Sequence, residues 1–189
     1  MTRGRILGAA RRVLLAGRYS RVTMEDIARE AGVAPQTIYA AFGTKLRLAQ
    51  AMVDAGFPHV QEAFALVDRA RASADPIDWL RTFATMQRRI FESCGDLIRF
   101  MHESGDASLF ARYEEIQRDR RERFRELGAA LARSGRLRPS LSEDEAATIA
   151  WVLLGPDSFT QFVFDQGWTP DRFEDWACEA LVEQLLIMD

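Results

Sequence analysis

The sequence is sparing with the residues that most often carry chemistry. Two cysteines, Cys94 and Cys178, and two histidines, His59 and His102, are spread over 189 residues. The cysteines match no metal-ligand spacing, and the simple reading is a reduced, cytoplasmic protein without a redox switch. The histidines stand in no H-E-x-x-H pattern. His102 is followed directly by Glu103, and on a helix the two side chains diverge by about 100°. There is no nucleophile elbow, no glycine loop to cradle a phosphate, and no carboxylate pair at a defined spacing. These absences argue against an enzyme and call for no cofactor and no metal. No stretch approaches the roughly 20 apolar residues of a membrane span. The two arginines near the N-terminus precede no apolar signal core, so no membrane partner is expected. No segment alternates apolar and polar residues for long, so no sheet is expected. No internal repeat or low-complexity run is present.

What the chain does contain is helix-forming and unevenly charged. Apolar residues make up 48%, enough for a packed core, and the net charge is −3. That total hides a division. Residues 1–47 carry nine Lys or Arg against three acids, a net of +6; the other 142 residues carry 16 basic and 25 acidic groups, a net of −9. Ser142 to Asp189 alone holds eleven acids and only Arg172. A basic end on an acidic body is an electrostatic footprint for DNA at one end of the chain. Lys45 is the single lysine; every other basic residue is arginine.

The basic end is organised around Thr23 to Arg47, TMEDIAREAGVAPQTIYAAFGTKLR. Thr23, with an acid three residues later, reads as a helix cap. Met24, Ile27, Ala28 and Ala31 recur at helical spacing, and Gly32 suits the left-handed position that ends a helix. Pro35 opens a second short helix at the position where proline is tolerated best, and Gly43 closes it after Phe42. Two short helices joined by a tight glycine-containing turn make a helix-turn-helix, although a helical hairpin inside a larger bundle would look similar. Ile38 and Phe42 are four apart and face inward, which leaves Pro35, Gln36, Tyr39 and Ala40 on other faces. Gln36 can make a bidentate contact to adenine, and Tyr39 can donate to a phosphate. Thr44 caps a following helix with Lys45 in its first turn, a good phosphate seat. An earlier helix runs from about Arg3 to Ala16, with Ile6, Leu7, Ala10, Val13 and Leu14 at spacings of three and four.

Ile27-Ala28, Ala31-Gly32-Val33, Thr37-Ile38-Tyr39, Phe42 and Lys45 resemble the N-terminal signature of the tetracycline-repressor (TetR) family. The resemblance covers about Ile6 to Ala51. It implies an all-α, homodimeric transcriptional repressor. A three-helix head, here residues 1–55, would bind double-stranded operator DNA. A C-terminal helical bundle, residues 56–189, would bind a small-molecule effector and dimerise. On that reading Thr23, Gln36, Thr37, Tyr39, Ala40, Thr44 and Lys45 lie at the DNA. The sequence departs from the family at Ala34, where a capping Ser is common. It also departs at Ala40 and Ala41, which replace bulkier residues, and at Arg47, where an acid commonly completes a cap.

The body reads as helical throughout. The fourth helix continues from Lys45 until Gly56 and Pro58 interrupt it, and a further helical stretch runs to about Ala72. Helices follow at about Pro76 to Ser93, Asp96 to Glu103, Ala107 to Arg133, Ser142 to Gln166 with a kink at Gly155–Pro156, and Pro170 to Met188. Ser142 to Glu145 is another capping box, and Thr169–Pro170 another cap. Arg112 to Glu126 mixes both signs and reads as a solvated face. Phe83, Met86, Phe100, Tyr113 and Trp151, with Gln87, Glu103 and Gln117 as polar groups, are candidates for a pocket that takes an apolar or aromatic effector. Plain core packing is the alternative for each. Phe159, Phe162, Trp176 and Ala180 on the last two helices are candidates for the dimer interface. A helical small-molecule-binding or interaction protein whose head does not read DNA is the second functional class. The basic head and the Tyr39–Lys45 spacing favour the first.

Overall fold

Local signals set the first four helices. The computed structural model describes residues 2–57 and 75–187. Helix α1 spans Thr2–Ala16, α2 Met24–Ala31, α3 Pro35–Phe42 and α4 Lys45–Ala55. Helix α2 starts in the expected capping box: Asp26 N–H donates to Thr23 Oγ1 at 3.1 Å, and Thr23 N–H donates to Asp26 Oδ2 at 3.0 Å. It ends at Gly32 with φ +62°, a backbone conformation that costs a side-chain-bearing residue about 1–2 kcal/mol. Ala34 gives α3 no side-chain cap, and Pro35 takes its first position. Thr44 Oγ1 accepts from Arg47 N–H at 3.2 Å and starts α4. Ile6 and Leu14 of α1, Ile27 of α2, Ile38 of α3 and Leu48 of α4 are fully buried and close the core of the head.

The chain after the undescribed residues is again helical: α5 Pro76–Glu103, α6 Ala107–Arg133, α7 Glu143–Leu153, α8 Pro156–Phe159, and α9 Pro170–Leu185. The chain divides into two compact units. One is Met1–Pro58 with Cys94–Glu115; the other is His59–Ser93 with Ile116–Asp189. In the first unit Arg11 of α1 makes a bidentate ion pair with Asp96 of α5, at 2.7 and 2.9 Å. In the second, Glu174 of α9 accepts from Thr85 at 2.5 Å and pairs with Arg88, joining α9 to α5. The helical stretch expected up to Ala72, and its interruption at Pro58, lie outside the described residues.

The two helices expected before and after Cys94–Gly95 are the two arms of α5, which meet at a kink where Cys94 is non-helical (φ −143°, ψ 15°). Leu97, Ile98 and Met101 are buried beyond it. Two expected boundaries differ, each for a physical reason. The single helix read from Ser142 to Gln166 is broken. It stops at Leu153, Gly155 is extended (φ −77°, ψ 160°), and Pro156 restarts it as α8. After one turn α8 widens into a π-helix over Thr160–Asp165. Helix α9 ends at Leu185 because Leu186 is extended and forms an antiparallel bridge with Leu137. That bridge is the only β pairing among the described residues; no strand forms there.

Gly128 marks a close approach of α6 to α7. A Cβ there would lie 2.2 Å from the Glu143 carbonyl oxygen and 3.1 Å from Ala147 Cβ. A helix-interior glycine normally gains about 0.5–1 kcal/mol when replaced by alanine. Here overpacking against backbone reverses the sign, at about 1–3 kcal/mol. Gly128→Ala is therefore expected to lower the melting temperature. Gly4→Ala, with nothing within 4 Å, should not. Equal melting of the two variants and wild type would show that α7 yields at no cost.

Candidate functional site

Two surfaces carry the sequence-derived candidates, one on each unit. On the head, Ile38 and Phe42 face the core, and Gln36, Thr37, Tyr39 and Ala40 are all exposed, as the spacing predicts. Thr44 is exposed at the start of α4, whose first N–H groups make an anion-accepting end.

The polar groups around α3 are held by partners of their own. Tyr39, 46% exposed, donates its hydroxyl to Glu25 Oε1 at 3.2 Å. Partial desolvation, and then the Glu25 carboxylate, hold the Tyr39 phenol above its ordinary pKa. Thr23 Oγ1 both donates to Asp26 Oδ2, at 2.7 Å, and accepts the Asp26 N–H, so its hydroxyl serves the cap of α2. Lys45 donates to the Tyr19 carbonyl at 2.7 Å and the Val22 carbonyl at 3.0 Å. Its ammonium also lies 4.4 Å from the Tyr19 ring centroid. An ammonium has three donors, and two of these are committed inside the head. Arg3 stacks over Phe42 at 4.7 Å. Sequence reading missed Glu25 and the Tyr19 carbonyl, because both contacts cross turns and leave no periodic trace.

The eight pocket candidates are divided between the units. Phe83, Met86, Gln87, Gln117 and Trp151 belong to the second; Phe100, Glu103 and Tyr113 belong to the first. Glu103 is exposed, and Phe100 packs edge-on against Tyr19 at 5.8 Å. In the second unit Phe83, Met86, Gln87 and Gln117 are buried. Two of the second-unit candidates, Gln87 and Trp151, meet at Arg120, which the sequence placed on a solvated face. It is 8% exposed, because Gln117, Arg120, Phe124, Leu127 and Leu131 form the buried stripe of α6. Arg120 Nη2 donates to the Trp151 carbonyl at 2.6 Å and the Leu154 carbonyl at 2.9 Å, and Nε donates to Gln87 Oε1 at 3.4 Å. Its guanidinium also lies 4.8 Å from the Phe124 ring and 4.9 Å from the Trp151 ring. The 3–4 spacing of the stripe was readable; the charge of Arg120 concealed it. A cleft of about 580 Å³ opens between α6 and α7, lined by Phe124, Ala147 and Trp151 with Arg121, Arg125, Asp144 and Thr148.

The dimer candidates also separate. Phe159 is sealed in its own unit, against Phe91 at 5.5 Å and Phe173 at 5.3 Å, so it cannot present its ring to a partner. Phe162 and Trp176 are half-buried and stack at 4.3 Å, joined by Trp168, and Ala180 is half-buried too. Phe164, 65% exposed, and Val152, 53% exposed, are the outlying apolar side chains of this region. Burial pushes the Cys94 thiol up to about 12, with Asp96 adding to the effect, and burial also raises Cys178. Neither thiol ionises readily near neutral pH.

The capping boxes make folding sensitive to acid. Hydrogen bonds from the Thr23 side chain and then its backbone N–H lower the Asp26 pKa, and the Ser142 backbone and side chain do the same for Glu145. A carboxylate whose pKa is lowered on folding contributes stability above its unfolded pKa and loses it as pH falls through the folded value. Thermal stability should therefore decline below about pH 4. Asp26→Asn should start less stable at pH 7 and lose less on acidification. A parallel decline of wild type and variant would remove Asp26 from the acid response.

The comparisons with known proteins agree with this architecture. Residues 6–52 match the family model for bacterial regulatory proteins of the tetR family. The HTH-type transcriptional regulator AlkX of Mycobacterium tuberculosis is 39% identical over 75 residues, which cover 40% of this chain and only 33% of AlkX. NalD, the secondary repressor of the MexAB-OprM multidrug efflux pump in Pseudomonas aeruginosa, superposes with a TM-score of 0.72 at 21% identity, covering 98% of this chain and 97% of NalD. FadR of Bacillus subtilis, solved in complex with stearoyl-CoA, gives 0.69 at 18% identity, covering 95% and 97%. At these identities the structural likeness concerns the fold. The signature over α1 to α4 is thus similar to that of the tetR family of bacterial regulatory proteins, and the likeness over nearly the whole chain is one of fold.

Proposed function

We propose that the protein is a transcriptional repressor that binds operator DNA through α3 and leaves it when a small apolar or aromatic effector binds the body. The observation that carries this reading is the surface of α3. Four consecutive-turn positions, Gln36, Thr37, Tyr39 and Ala40, are exposed on the basic part of the chain, while Ile38 and Phe42 anchor the helix from behind. A helix presented in this way suits the major groove, with the backbone contacts of Tyr39 and the start of α4 fixing its register. Gln36, near the helix N-terminus, is the base reader. The effector part of the reading is supported by the buried polar group around Arg120 and by the stearoyl-CoA complex of the similar FadR fold. The reading assigns no catalytic step to the chain and places it in the cytoplasm with its DNA.

Two copies related by a two-fold axis would set two α3 helices about 34–36 Å apart, one turn of DNA. Phe162, Trp176 and Ala180, with the exposed Phe164 and Val152, supply the surface for that pairing.

A mobility-shift titration with the DNA upstream of the chain's own gene tests the reading directly. Gln36→Ala should change relative affinity among operator variants at one position, by about 1–3 kcal/mol. A uniform loss at all positions would reassign Gln36 to the DNA backbone. Trp176→Arg should place a charge in an apolar contact, which is costly unless paired. Sedimentation should then show monomers, with operator affinity falling alongside. A variant that stays dimeric and binds normally would move the interface elsewhere.

A further inference from the structure

We infer that Arg47, and not Lys45, is the cation that meets a DNA phosphate at the start of α4. The inference rests on the DNA reading above and moves its backbone contact by two residues.

Lys45 is committed inside the head. Its ammonium donates to the Tyr19 and Val22 carbonyls and lies 4.4 Å from the Tyr19 ring centroid. A phosphate that drew it outward would break both bonds and leave two carbonyls without their partner. Several other basic groups of the head are engaged as well. Arg11 pairs with Asp96, Arg12 with Glu30 and Arg29 with Asp26, and Arg3 lies over the Phe42 ring. Arg47 is exposed, and among the described residues its guanidinium has no hydrogen bond or ion pair. It lies over the turn that follows α3: Nη1 stands 3.9 Å from where a Cβ on Gly43 would be. A free charge therefore sits at the end of the helix whose outer face carries Gln36, Thr37, Tyr39 and Ala40.

Helix energetics give no reason for an arginine at this position. Thr23 and Ser142 cap α2 and α7, and three residues later Asp26 and Glu145 return a carboxylate to the cap N–H. Thr44 caps α4 in the same way, but the residue three later is Arg47, so only half of the box forms. A cation in the first turn also faces the positive end of the helix dipole. Arg172 holds the matching position in α9, where its guanidinium stacks on the Trp168 ring at 3.9 Å. Arg47 has the unfavourable position without a compensating contact. A residue that breaks a local rule with no structural gain is expected at a functional site.

Binding of the full chain across a salt series tests the assignment, with one duplex from upstream of its own gene and one scrambled duplex of equal length. Thermal melting without DNA stands beside it. Arg47→Ala should flatten the slope of log K against log salt by about one per subunit on both duplexes, since phosphate contacts act at every sequence. At low salt it should bind about tenfold or more weaker, with no loss of melting temperature. Arg47→Glu completes the capping box, so it should melt higher than wild type while binding worse than Arg47→Ala. Lys45→Met should do the reverse, melting several degrees lower and keeping the wild-type slope. Arg18→Ala, which removes another exposed charge of the head, should move neither readout. An unchanged slope in Arg47→Ala overturns the proposal, as does a slope flattened by about one per subunit in Lys45→Met. Equal flattening in Arg18→Ala would reduce the effect to net charge, and a fall of several degrees in Arg47→Ala would make the residue structural; either result also overturns it. The operator reading fails separately. If wild type binds the upstream duplex no tighter than the scrambled one, that reading falls, while the slopes still decide between Arg47 and Lys45.

Discussion

An eight-residue helix does not hold its shape alone in water, where isolated helices shorter than about 12–15 residues are marginal. Helix α3 has that length, and Ala34 gives it no side-chain cap. The rest of the head supplies what α3 lacks. Ile38 and Phe42 bury its inner face, Arg3 covers Phe42, and Gly43 N–H returns to the Tyr39 carbonyl at 2.8 Å. Lys45 then fixes the frame by tying the start of α4 to the turn between α1 and α2. This accounts for lysine at the one place the chain has it. Two carbonyls and an aromatic face surround a point, and a compact ammonium with rotatable donors fits a point. A planar guanidinium fork suits coplanar pairs of acceptors instead, as at Arg11 and Asp96.

The second unit uses an arginine for the opposite task. Arg120 stands between α5, α6 and the end of α7, in an interior where a charge is tolerated only when it has hydrogen-bond partners. Its acceptors are the Trp151 and Leu154 carbonyls at the C-terminus of α7, where the helix leaves carbonyls unpaired and favours a cation. The break at Gly155–Pro156 is what makes those carbonyls available. A continuous helix through Pro156 would have hidden the Leu154 carbonyl, so the broken helix and the buried arginine explain each other.

Legibility followed the range of the interactions. The Thr23–Asp26 and Ser142–Glu145 boxes, Gly32, Pro35 and the Thr169 cap were readable because all their partners lie within a few residues. The kink at Gly155–Pro156 was visible as a proline, but its size depended on Arg120 and on Ser158 donating to the Val152 carbonyl. The end of α9 was not readable. It is set by Leu137, far back in the chain, and by Arg138 donating to the Glu183 carbonyl at 2.5 Å. The break inside α5 was readable for the opposite reason: Gly95 looks like a stop locally, and the backbone at Cys94 beside it is non-helical. Among the candidate site residues, the outward set on α3 was legible from period alone. The pocket set was not, because aromatic abundance does not say which helices meet.

The polar surface of α3 is small. Ala40 and Ala41 carry only methyl groups, so Gln36, Thr37 and Tyr39 are the side chains there able to hydrogen-bond. Tyr39 is shared with Glu25, which places a carboxylate beside α3 on a part of the chain that is basic in net charge. On the DNA reading, a phosphate that takes the Tyr39 hydroxyl must first displace that carboxylate, which weakens binding that depends on backbone charge alone. An acid can also accept from cytosine N4 in the major groove. Either effect raises the weight of base contacts relative to phosphate contacts. A head with few base-reading groups gains most from such a penalty, because specificity is the difference between the right and wrong sites and not the strength of either.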